Sequence, residues 1–334
     1  MYIVYAHFGT QIPRYLIRNL SNIVENNPIY NVVLLSDQPK SRKLNPSVQY
    51  MMVEHDLIWG QIQKKLEHPK DFRKNFWFTS LIRLYELGKF ASLNNCKLIH
   101  IESDVILSDD FPFDKFLYIK ELLAFPVFNE TMGIASIFFV NGAEGGKLLM
   151  QSCLSAARTN SKTTDMLILG NLLRDHESKV KILPSFVDLK IDSELEAKLN
   201  LQASKNLMQF GGIFDGLEIG QYVFGEDPRN NRGFSVIRRK NPYGFLRLQD
   251  SKFEFLNGRS FPYLSNMQGN FYPIYSMHIH SKNLSLFKKN TSKIMVKYFN
   301  DLNLPRERKF YFRTLINSIF VSIKRRAKHF WCHD

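Results

Sequence analysis

Two carboxylates one residue apart follow an apolar run in the segment KLIHIESDVIL, residues 97–107. The apolar residues up to Ile101 predict a buried strand, and Glu102 and Asp104 stand at its end. Ionised carboxylates are costly to bury unless a cation or a hydrogen-bonding partner compensates their charge. Mg²⁺ or Mn²⁺ with a bound diphosphate supplies that compensation, because both ions prefer oxygen ligands. The pattern therefore predicts a metal–diphosphate site, with a purely structural carboxylate pair as the alternative.

Two histidines far along the chain are candidates for the ligand that a carboxylate pair lacks. The segment YSMHIHSK, residues 275–282, predicts a strand on which His278 and His280 share one face. Neutral imidazole is a common metal ligand beside carboxylates, and Lys282 just beyond suits an anionic phosphate. The spacing does not choose between the two histidines, and an exposed strand without a metal is the alternative.

An arginine and an aspartate complete the set of candidate residues. Arg83 lies in a helix predicted over residues 71–93, directly before the acidic strand, where it can brace the two carboxylates or a phosphate. A salt-bridged structural arginine is the alternative. Asp165 begins the predicted helix DMLILGNLL and is a candidate base for an acceptor hydroxyl. The same position suits a helix cap, a role that Thr164 fills equally well.

An alternation of apolar strands and helices must position these residues. The first predicted elements are a strand, a helix and two further strands: residues 2–6, a helix opening at Pro13, residues 31–36 and residues 48–53. Such a strand–helix–strand unit is parallel and right-handed by default. Ligands of parallel sheets bind at the carboxyl ends of the strands, which here carry residues 7–10 and 36–38. A nucleotide across these two loops is therefore expected, with ordinary connecting loops as the alternative.

The rest of the chain is predicted from apolar runs and from the residues that interrupt them. The runs predict three strands and a helix: residues 122–127, 134–140 and 180–183, with the helix over 144–157. Gly- and Asn-rich segments between residues 186 and 275 predict loop-rich structure with strands over 243–248 and 253–256. The predicted division is an α/β domain over 1–185, an acceptor-side region over 186–300 that completes the metal site, and a basic tail over 301–334.

Composition narrows the class of protein. The chain has 334 residues, 44% of them hydrophobic and 28 of them Phe, which is enough for a large core and argues against a disordered chain. A net charge of +14 points to anionic partners. The three widely spaced Cys fit neither a disulfide framework nor a zinc site, so a reducing cytoplasm is expected. We expect neither a signal peptide nor a transmembrane helix.

The tail from Pro305 onward alternates basic residues with an apolar helical stripe. The stripe consists of Phe312, Leu315, Ile316, Ile319, Phe320, Ile323 and Ala327. Its flanking cations cluster at both ends, a pattern typical of a helix that lies on an anionic membrane surface. Packing of the stripe on the protein's own body ranks second, and nucleic-acid binding ranks third and is not expected.

Together these motifs resemble the nucleotide-sugar domain of GT-A glycosyltransferases. The resemblance rests on a first strand ending in AHFG, a second ending in LSD, the helix SLIRLYELGKF and the strand IHIESDVIL, and it spans residues 2–185 and 275–283. In that family a D-x-D motif binds the metal and the donor diphosphate, and here Glu102, Ser103 and Asp104 stand in its place, with Glu where Asp is usual. HIHSK is similar to the segment that closes the site, and TTDMLILGNL to the segment that carries an acceptor-side acid.

The resemblance implies a fold and a set of site residues. The fold is a GT-A α/β fold, with a mixed, mostly parallel sheet flanked by helices, a loop-rich acceptor region and a C-terminal amphipathic helix. The implied residues are Asp165 as the catalytic acid–base group; Ala6, His7, Phe8, Asp37, Arg83, Ser103 and Lys282 at the donor; and Glu102, Asp104, His278 and His280 at the metal. Asp104 carries the metal assignment, and Glu102 supports it.

The implied reaction moves a sugar from a nucleotide-sugar, with a UDP-sugar preferred, to the hydroxyl of a saccharide or lipid-linked saccharide. It is a hexosyltransferase reaction that uses Mn²⁺ or Mg²⁺. The basic character suggests lipopolysaccharide, capsule or other cell-surface glycan assembly, on the inner face of the cytoplasmic membrane. One alternative is a sugar nucleotidyltransferase, which would carry a Gly-rich loop with Arg and Lys where this chain has AHFGTQIPR. The other is a non-catalytic carbohydrate- or nucleic-acid-binding protein, which would give no reason for a buried acidic pair.

Overall fold

The computed structural model describes residues 1–68, 75–187, 194–225, 227, 246, 252–256, 258–266, 268–287, 295–297 and 299. The predicted tail over residues 301–334, and all but one residue of the strand predicted over 243–248, lie outside the described residues. None of the described helices is long and apolar enough to cross a membrane.

Strands in the described residues form two sheets. In chain order they are β1 (Tyr2–His7), β2 (Asn31–Ser36), β3 (Gln49–Met52), β4 (Lys97–Ile101), β5 (Val105–Leu107), β6 (Leu123–Asn129), β7 (Met132–Gly133), β8 (Ile137–Asn141), β9 (Val180–Leu183), β10 (Ile213–Phe214), β11 (Phe253–Glu254), β12 (Tyr263–Ser265) and β13 (Phe271–His278). The larger sheet has the order β3-β2-β1-β4-β8-β6-β7, with β9 also paired to β6. The smaller has the order β10-β13-β12-β11, with β5 also paired to β13.

Helices cover the larger sheet and close the site. They are α1 (Arg14–Asn26), α2 (Leu57–Lys65), α3 (Phe76–Asn94), α4 (Phe113–Phe116), α5 (Gly142–Thr159), α6 (Asp165–Asp175), α7 (Glu194–Phe210) and α8 (Glu218–Phe224). Two short 3₁₀ turns span Glu177–Lys179 and Leu284–Phe287. The helices α7 and α8 fall in the region predicted as loop-rich, and neither was predicted.

The parallel opening of the chain is confirmed. β1 pairs in parallel with both β2 and β4, and β2 pairs in parallel with β3, so their carboxyl ends lie at one edge. The strand β8 enters antiparallel to β4, which makes the sheet mixed and mostly parallel. The α/β fold that the sequence predicts is therefore confirmed, and its strands end where the candidate residues of β1, β2 and β4 lie.

The acidic stretch changes sheets between its two carboxylates. The N–H of Glu102 donates to the carbonyl of Ser136 at 3.0 Å, which extends the β4 ladder by one residue. The N–H of Val105 then donates back to the carbonyl of Glu102 at 3.0 Å and closes a tight turn. From Val105 the chain pairs antiparallel with β13, where Val105 stands opposite His278. One short turn therefore places both carboxylates at the junction of the two sheets.

The strand predicted over residues 275–282 ends earlier than expected. β13 stops at His278, and His280 lies in the turn beyond it. The N–H of Ile279 still bonds the carbonyl of Asp104 at 2.8 Å, and the N–H of Lys282 turns back to the carbonyl of Ile279 at 3.0 Å. The strand pattern of alternating faces therefore does not extend to His280.

Candidate metal and donor site

Glu102, Asp104 and His278 converge at the junction of the two sheets. The Nε2 of His278 lies 3.1 Å from an oxygen of Asp104 and 3.4 Å from an oxygen of Glu102. One ligand atom from each residue lies within 4.8 Å of the other two. The exposed fractions are 9% for Glu102, 5% for Asp104 and 7% for His278, so water alone does not solvate the charges. The pairing of β5 with β13 produces this contact across 174 residues of sequence.

Hydrogen bonding orients the His278 ring toward the two carboxylates. Its Nδ1 lies 2.9 Å from the carbonyl oxygen of Gly216, which can only accept, so Nδ1 carries the proton. Nε2 faces the acceptor oxygens of Asp104 and Glu102 and donates to Asp104 at 3.1 Å; with a divalent ion bound, the same nitrogen would instead offer its lone pair to the ion. Ligating histidines are commonly fixed in this way by a carbonyl behind the ring. Two carboxylate oxygens and one imidazole nitrogen, all buried, form a donor set that suits Mn²⁺ or Mg²⁺.

Lys282 supplies a positive charge next to the same carboxylates. Its Nζ contacts the Oδ2 of Asp104, and it lies 5.8 Å from the centre of the Tyr15 ring. The backbone at Lys282 is left-handed, with φ of +53°, a conformation that non-glycine residues adopt only where the fold demands it. The turn after β13 thus directs this ammonium into the site.

Arg83 bridges two of the three site carboxylates from helix α3. Its Nη1 lies 2.6 Å from Glu102, and its Nη2 lies 3.2 Å from Asp165. Burial alone would raise the pKa of Glu102, but the Arg83 charge, helped by His278, lowers it to about 2. Burial raises the pKa of Asp165, and Arg83 offsets only part of that rise. The acid at Glu102 is thus held ionised, while the acid at Asp165 is made more basic.

Asp165 is not the cap of its helix. The side chain of Thr164 accepts the N–H of Leu167 at 3.2 Å and is the N-cap of α6. Asp165, the first residue of the helix, is 8% exposed and turns to Arg83. This frees Asp165 from the structural role that its position in the sequence allowed.

The predicted donor-side residues at the ends of β1 and β2 order the loops that follow these strands. Asp37 accepts the N–H of Gly9 at 3.0 and 3.1 Å, where φ is +77° and a side chain would meet Thr79. His7 bonds the carbonyl of Thr10 at 3.0 Å, and burial lowers its pKa.

The remaining donor-side candidates lie close by in the fold. Ala6 and Phe8 are buried, and Phe8 packs edge-on against Trp59 at 5.3 Å. Ser103 lies in the turn between the two acids.

His280 stands apart from the ligand group. Its ring stacks on His278, with centres 3.9 Å apart and an interplanar angle of 24°. The described ligand group contains only His278 of the two. Of the two histidines, His278 is therefore the one that lies in the candidate ligand group, and His280 stacks on its ring.

Two further residues behind the site are absent from the predicted site residues, although Asp215 lies in a Gly-rich segment that could line a pocket or simply form a turn. Asp215 is 1% exposed and accepts the N–H of His278 at 3.0 Å. Ser136 is fully buried, accepts the N–H of Glu102, and donates its hydroxyl to the carbonyl of Asp215 at 3.1 Å. The available signal was the segment IFDG, an acid directly after an apolar pair and before a glycine.

No protein-family model and no curated protein sequence matches the chain. Among solved structures it is similar to the galactosyltransferase LgtC in complex with donor and acceptor sugar analogues, at 14% identity over 55% of this chain and 74% of that one, with a TM-score of 0.41. It is also similar to the PaToxG glycosyltransferase, at 13% identity over 63% and 77% of the two chains and a TM-score of 0.36. Mouse xyloside xylosyltransferase 1 in its apo form is 9% identical over 63% and 92%, with a TM-score of 0.36.

These three solved structures are all sugar-transferring enzymes. At such low identity, what each of them binds stays a property of that protein, and the function of this chain follows from its own side chains. Its mixed, mostly parallel α/β sheet, with an acidic turn at the end of β4, is the architecture predicted from the resemblance to GT-A glycosyltransferases.

Proposed function

We propose that this chain is a divalent-metal-dependent glycosyltransferase that moves a sugar from a nucleotide-sugar to an acceptor hydroxyl. The observation that carries the proposal is the convergence of Glu102, Asp104 and His278 within 4.8 Å at the carboxyl edge of the sheet. Mn²⁺ or Mg²⁺ is the proposed ion, because two of the three ligands are carboxylates. When bound, such an ion supplies positive charge that stabilises the departing diphosphate.

The charges around the ligands support a diphosphate as the second occupant. In the part of the chain that the structure describes, three buried carboxylates face two cations, Arg83 and Lys282, so the site favours a metal ion. With an ion held by Asp104, the Lys282 ammonium would be available to bind a donor phosphate. We assign Lys282 to the donor diphosphate and Asp104 to the ion.

Asp165 is the proposed acid–base group on the acceptor side. It lies on the far side of Arg83 from Glu102, buried but outside the ligand group. A raised pKa makes a carboxylate a better proton acceptor, which suits the removal of a proton from a sugar hydroxyl. Arg83 positions it, since the same guanidinium holds the metal ligand Glu102.

The donor nucleotide is proposed to lie across the loops after β1 and β2. Gly9 and Asp37 fix one loop against the other, and Ala6, His7 and Phe8 line the strand end beside it. This loop contains no cluster of glycines with Arg and Lys, which a nucleotidyltransferase would use to bind a triphosphate. We therefore favour sugar transfer over nucleotide transfer, with a UDP-sugar as the preferred donor.

For the acceptor we propose a saccharide or lipid-linked saccharide of cell-surface glycan assembly, such as lipopolysaccharide or capsule. The support is the net charge of +14 and the basic, apolar-striped tail sequence, both of which suit an anionic membrane surface. The proposed location is the inner face of the cytoplasmic membrane, with the protein bound peripherally.

Titration calorimetry with Mn²⁺ and UDP tests the site with a matched pair of variants. We expect wild type to bind Mn²⁺, and Asp104→Asn to lose that binding because the variant removes a charged ligand. Lys282→Met keeps the ligands and removes a competing cation, so Mn²⁺ binding persists while UDP binding in the presence of Mn²⁺ weakens. Equal Mn²⁺ binding by wild type and Asp104→Asn, or none by wild type, would refute the metal site.

A screen of nucleotide-sugars for metal-dependent hydrolysis then tests the reaction. We expect release of a free sugar from at least one donor, and NMR of the product identifies the sugar. The loss of hydrolysis in Asp165→Asn with unchanged Mn²⁺ binding would support its placement at the chemistry. Release of pyrophosphate from a nucleoside triphosphate and a sugar phosphate would instead identify a nucleotidyltransferase.

A further inference from the structure

A buried aspartate outside the ligand group connects the backbones on which the ligands stand. Asp215 follows β10, which runs parallel to β13. Its two carboxylate oxygens accept three backbone N–H groups: Ile219 at 3.0 Å, Gly220 at 2.8 Å and His278 at 3.0 Å. A carboxylate has two acceptor oxygens and both are used here, whereas the NH₂ group of an asparagine could accept none of the bonds made at its position. The first two bonds tie Asp215 to the start of α8, and the third ties it to the ligand His278.

The residue after Asp215 holds the ring of the same histidine. The carbonyl of Gly216 accepts the Nδ1 proton of His278 at 2.9 Å. One dipeptide therefore fixes both the backbone N–H and the imidazole of a single ligand. These two hydrogen bonds, to the backbone N–H and to Nδ1, determine which ring nitrogen faces the two carboxylates.

Helix α8 packs directly against the backbone of His278 at Gly220. A Cβ added to Gly220 would lie 1.9 Å from the carbonyl oxygen of His278 and 2.9 Å from Asp215. The backbone of α8 therefore touches the backbone of the ligand with no side chain between them. Only glycine allows this approach.

The same dipeptide is linked to the acidic side of the site. Ser136 donates its hydroxyl to the carbonyl of Asp215 at 3.1 Å, and its own carbonyl accepts the N–H of Glu102 at 3.0 Å. The carbonyl of Asp104 in turn accepts the N–H of Ile279. Glu102, Asp104 and His278 are thus held by one hydrogen-bonded frame that passes through Asp215.

We propose that Asp215 is a positioning residue of the metal site, which acts by holding His278 so that Nε2 faces Glu102 and Asp104. This inference rests on the proposed function, since it concerns the affinity of the site for a divalent ion. Asp215 touches neither substrate nor ion. Replacement of a residue that orients a histidine ligand typically weakens metal binding by about 10- to 100-fold.

The test compares Asp215→Asn with Glu218→Gln, a second buried acid on α8. Glu218 is 8% exposed and accepts the N–H of Leu246 at 3.2 Å, away from the ligands. We expect Asp215→Asn to weaken Mn²⁺ binding in calorimetry by about 10- to 100-fold, and Glu218→Gln to leave it unchanged at a comparable loss of thermal stability. Gly220→Ala should also displace His278, because the added Cβ would meet its carbonyl oxygen. This variant is expected to weaken Mn²⁺ binding without removing a charge.

A spectroscopic readout separates positioning from general stability. In protein labelled with ¹⁵N-histidine and kept metal-free, His278 of the wild type should show an Nδ1 proton held in the bond to the Gly216 carbonyl, assigned by comparison with His278→Gln. Loss of that signal in Asp215→Asn, but not in Glu218→Gln, is the expected result. An unchanged Nδ1 proton signal with unchanged Mn²⁺ affinity would overturn the proposal. Failure of wild type to bind Mn²⁺ would instead refute the proposed function, while the comparison of Nδ1 proton signals would still decide the role of Asp215.

Discussion

At the scale of single residues, Arg83 determines whether the two acids Glu102 and Asp165 can be buried together. It lies 2.6 Å from Glu102 and 3.2 Å from Asp165, with 15% of its own side chain exposed. The lowered pKa of Glu102, about 2 against an ordinary 4.5, means that ionisation of this acid stabilises the fold. That contribution is present above pH 4.5 and is lost as the pH falls toward 2.

Replacement of Arg83 should reverse this dependence on pH. In Arg83→Met the two acids are buried without their cation, which costs about 3–5 kcal/mol of unfolding free energy at neutral pH. Burial then raises the pKa of both acids, so they gain protons as the pH falls and the penalty shrinks. Urea unfolding of the metal-free proteins at pH 5 and pH 8 should show the larger loss at pH 8.

Arg174→Met is the control for Arg83→Met. Arg174 pairs with Asp175 at 2.9 Å, and the two side chains are 66% and 54% exposed. Exposed pairs of this kind contribute about 0–1 kcal/mol, so its effect should be small at both pH values. An equal loss for Arg83→Met at pH 5 and pH 8 would contradict the role of Arg83 as counter-ion to the buried acids.

At the scale of elements, the packing of α3 on α5 determines where Arg83 stands. The two helices touch through glycines, since a Cβ on Gly146 would lie 2.4 Å from the carbonyl oxygen of Gly88 and 2.7 Å from the backbone nitrogen of Ser92. Both neighbours are backbone atoms that cannot rotate away. Any side chain at Gly146 must therefore move α3, which carries Arg83, away from α5.

Gly146→Ala should destabilise the protein although alanine favours helices. Overpacking at such a contact costs about 1–3 kcal/mol, more than the gain in helix propensity. Gly60→Ala on α2 is the control, because a Cβ there meets nothing within 4 Å. That variant should gain about 0.5–1 kcal/mol. Calorimetric melting of both variants checks the pair, and a stabilised Gly146→Ala would show that the helices can separate freely.

The sequence predicted the elements near the site better than their long-range pairing. Apolar runs located β1, β2 and β4, because buried parallel strands are continuous apolar segments. The strand predicted over residues 275–282 overlaps β13 only over residues 275–278. No local signal encodes the pairing of β5 with β13, which joins Val105 to His278. The period of two residues predicted that His278 and His280 share one face of a strand. The strand β13 ends at His278, and of these two histidines only His278 lies in the described ligand group.

Helix α7 was missed although its sequence carries a helical pattern. Leu199, Ala203, Leu207 and Phe210 are buried at spacings of three and four residues. The glycines and asparagines that follow the helix dominated the interpretation of this region and predicted loops. Asp215 was not assigned to the site for a different reason: the role of a buried acid depends on backbone donors from other elements, which sequence spacing does not reveal.

At the scale of the whole molecule, charge is distributed unevenly along the chain. Residues 306–334 contain eight Lys and Arg against two acids, interleaved with an apolar stripe. These residues lie outside the described part of the structure, so the proposal for them rests on their sequence. The metal site, by contrast, is built entirely from residues before 283. Membrane attachment and sugar transfer are therefore expected to be separable.

Deletion of residues 306–334 should abolish binding to vesicles that contain anionic lipid and leave donor hydrolysis intact. The wild type should bind these vesicles at low salt and should not bind neutral vesicles. At 1 M salt, where the Debye length is about 3 Å, it should dissociate from the anionic vesicles. A full-length variant with Lys324, Arg325 and Arg326 changed to Ser keeps the apolar stripe and should bind more weakly than wild type, which isolates the contribution of charge. Vesicle sedimentation measures membrane binding, and a nucleotide-sugar hydrolysis assay measures the activity of the proposed site.

If the truncated protein sediments with anionic vesicles as wild type does, the segment that binds the membrane lies elsewhere in the molecule. If hydrolysis falls with the deletion, the tail packs on the catalytic body, which was the second-ranked interpretation of its apolar stripe.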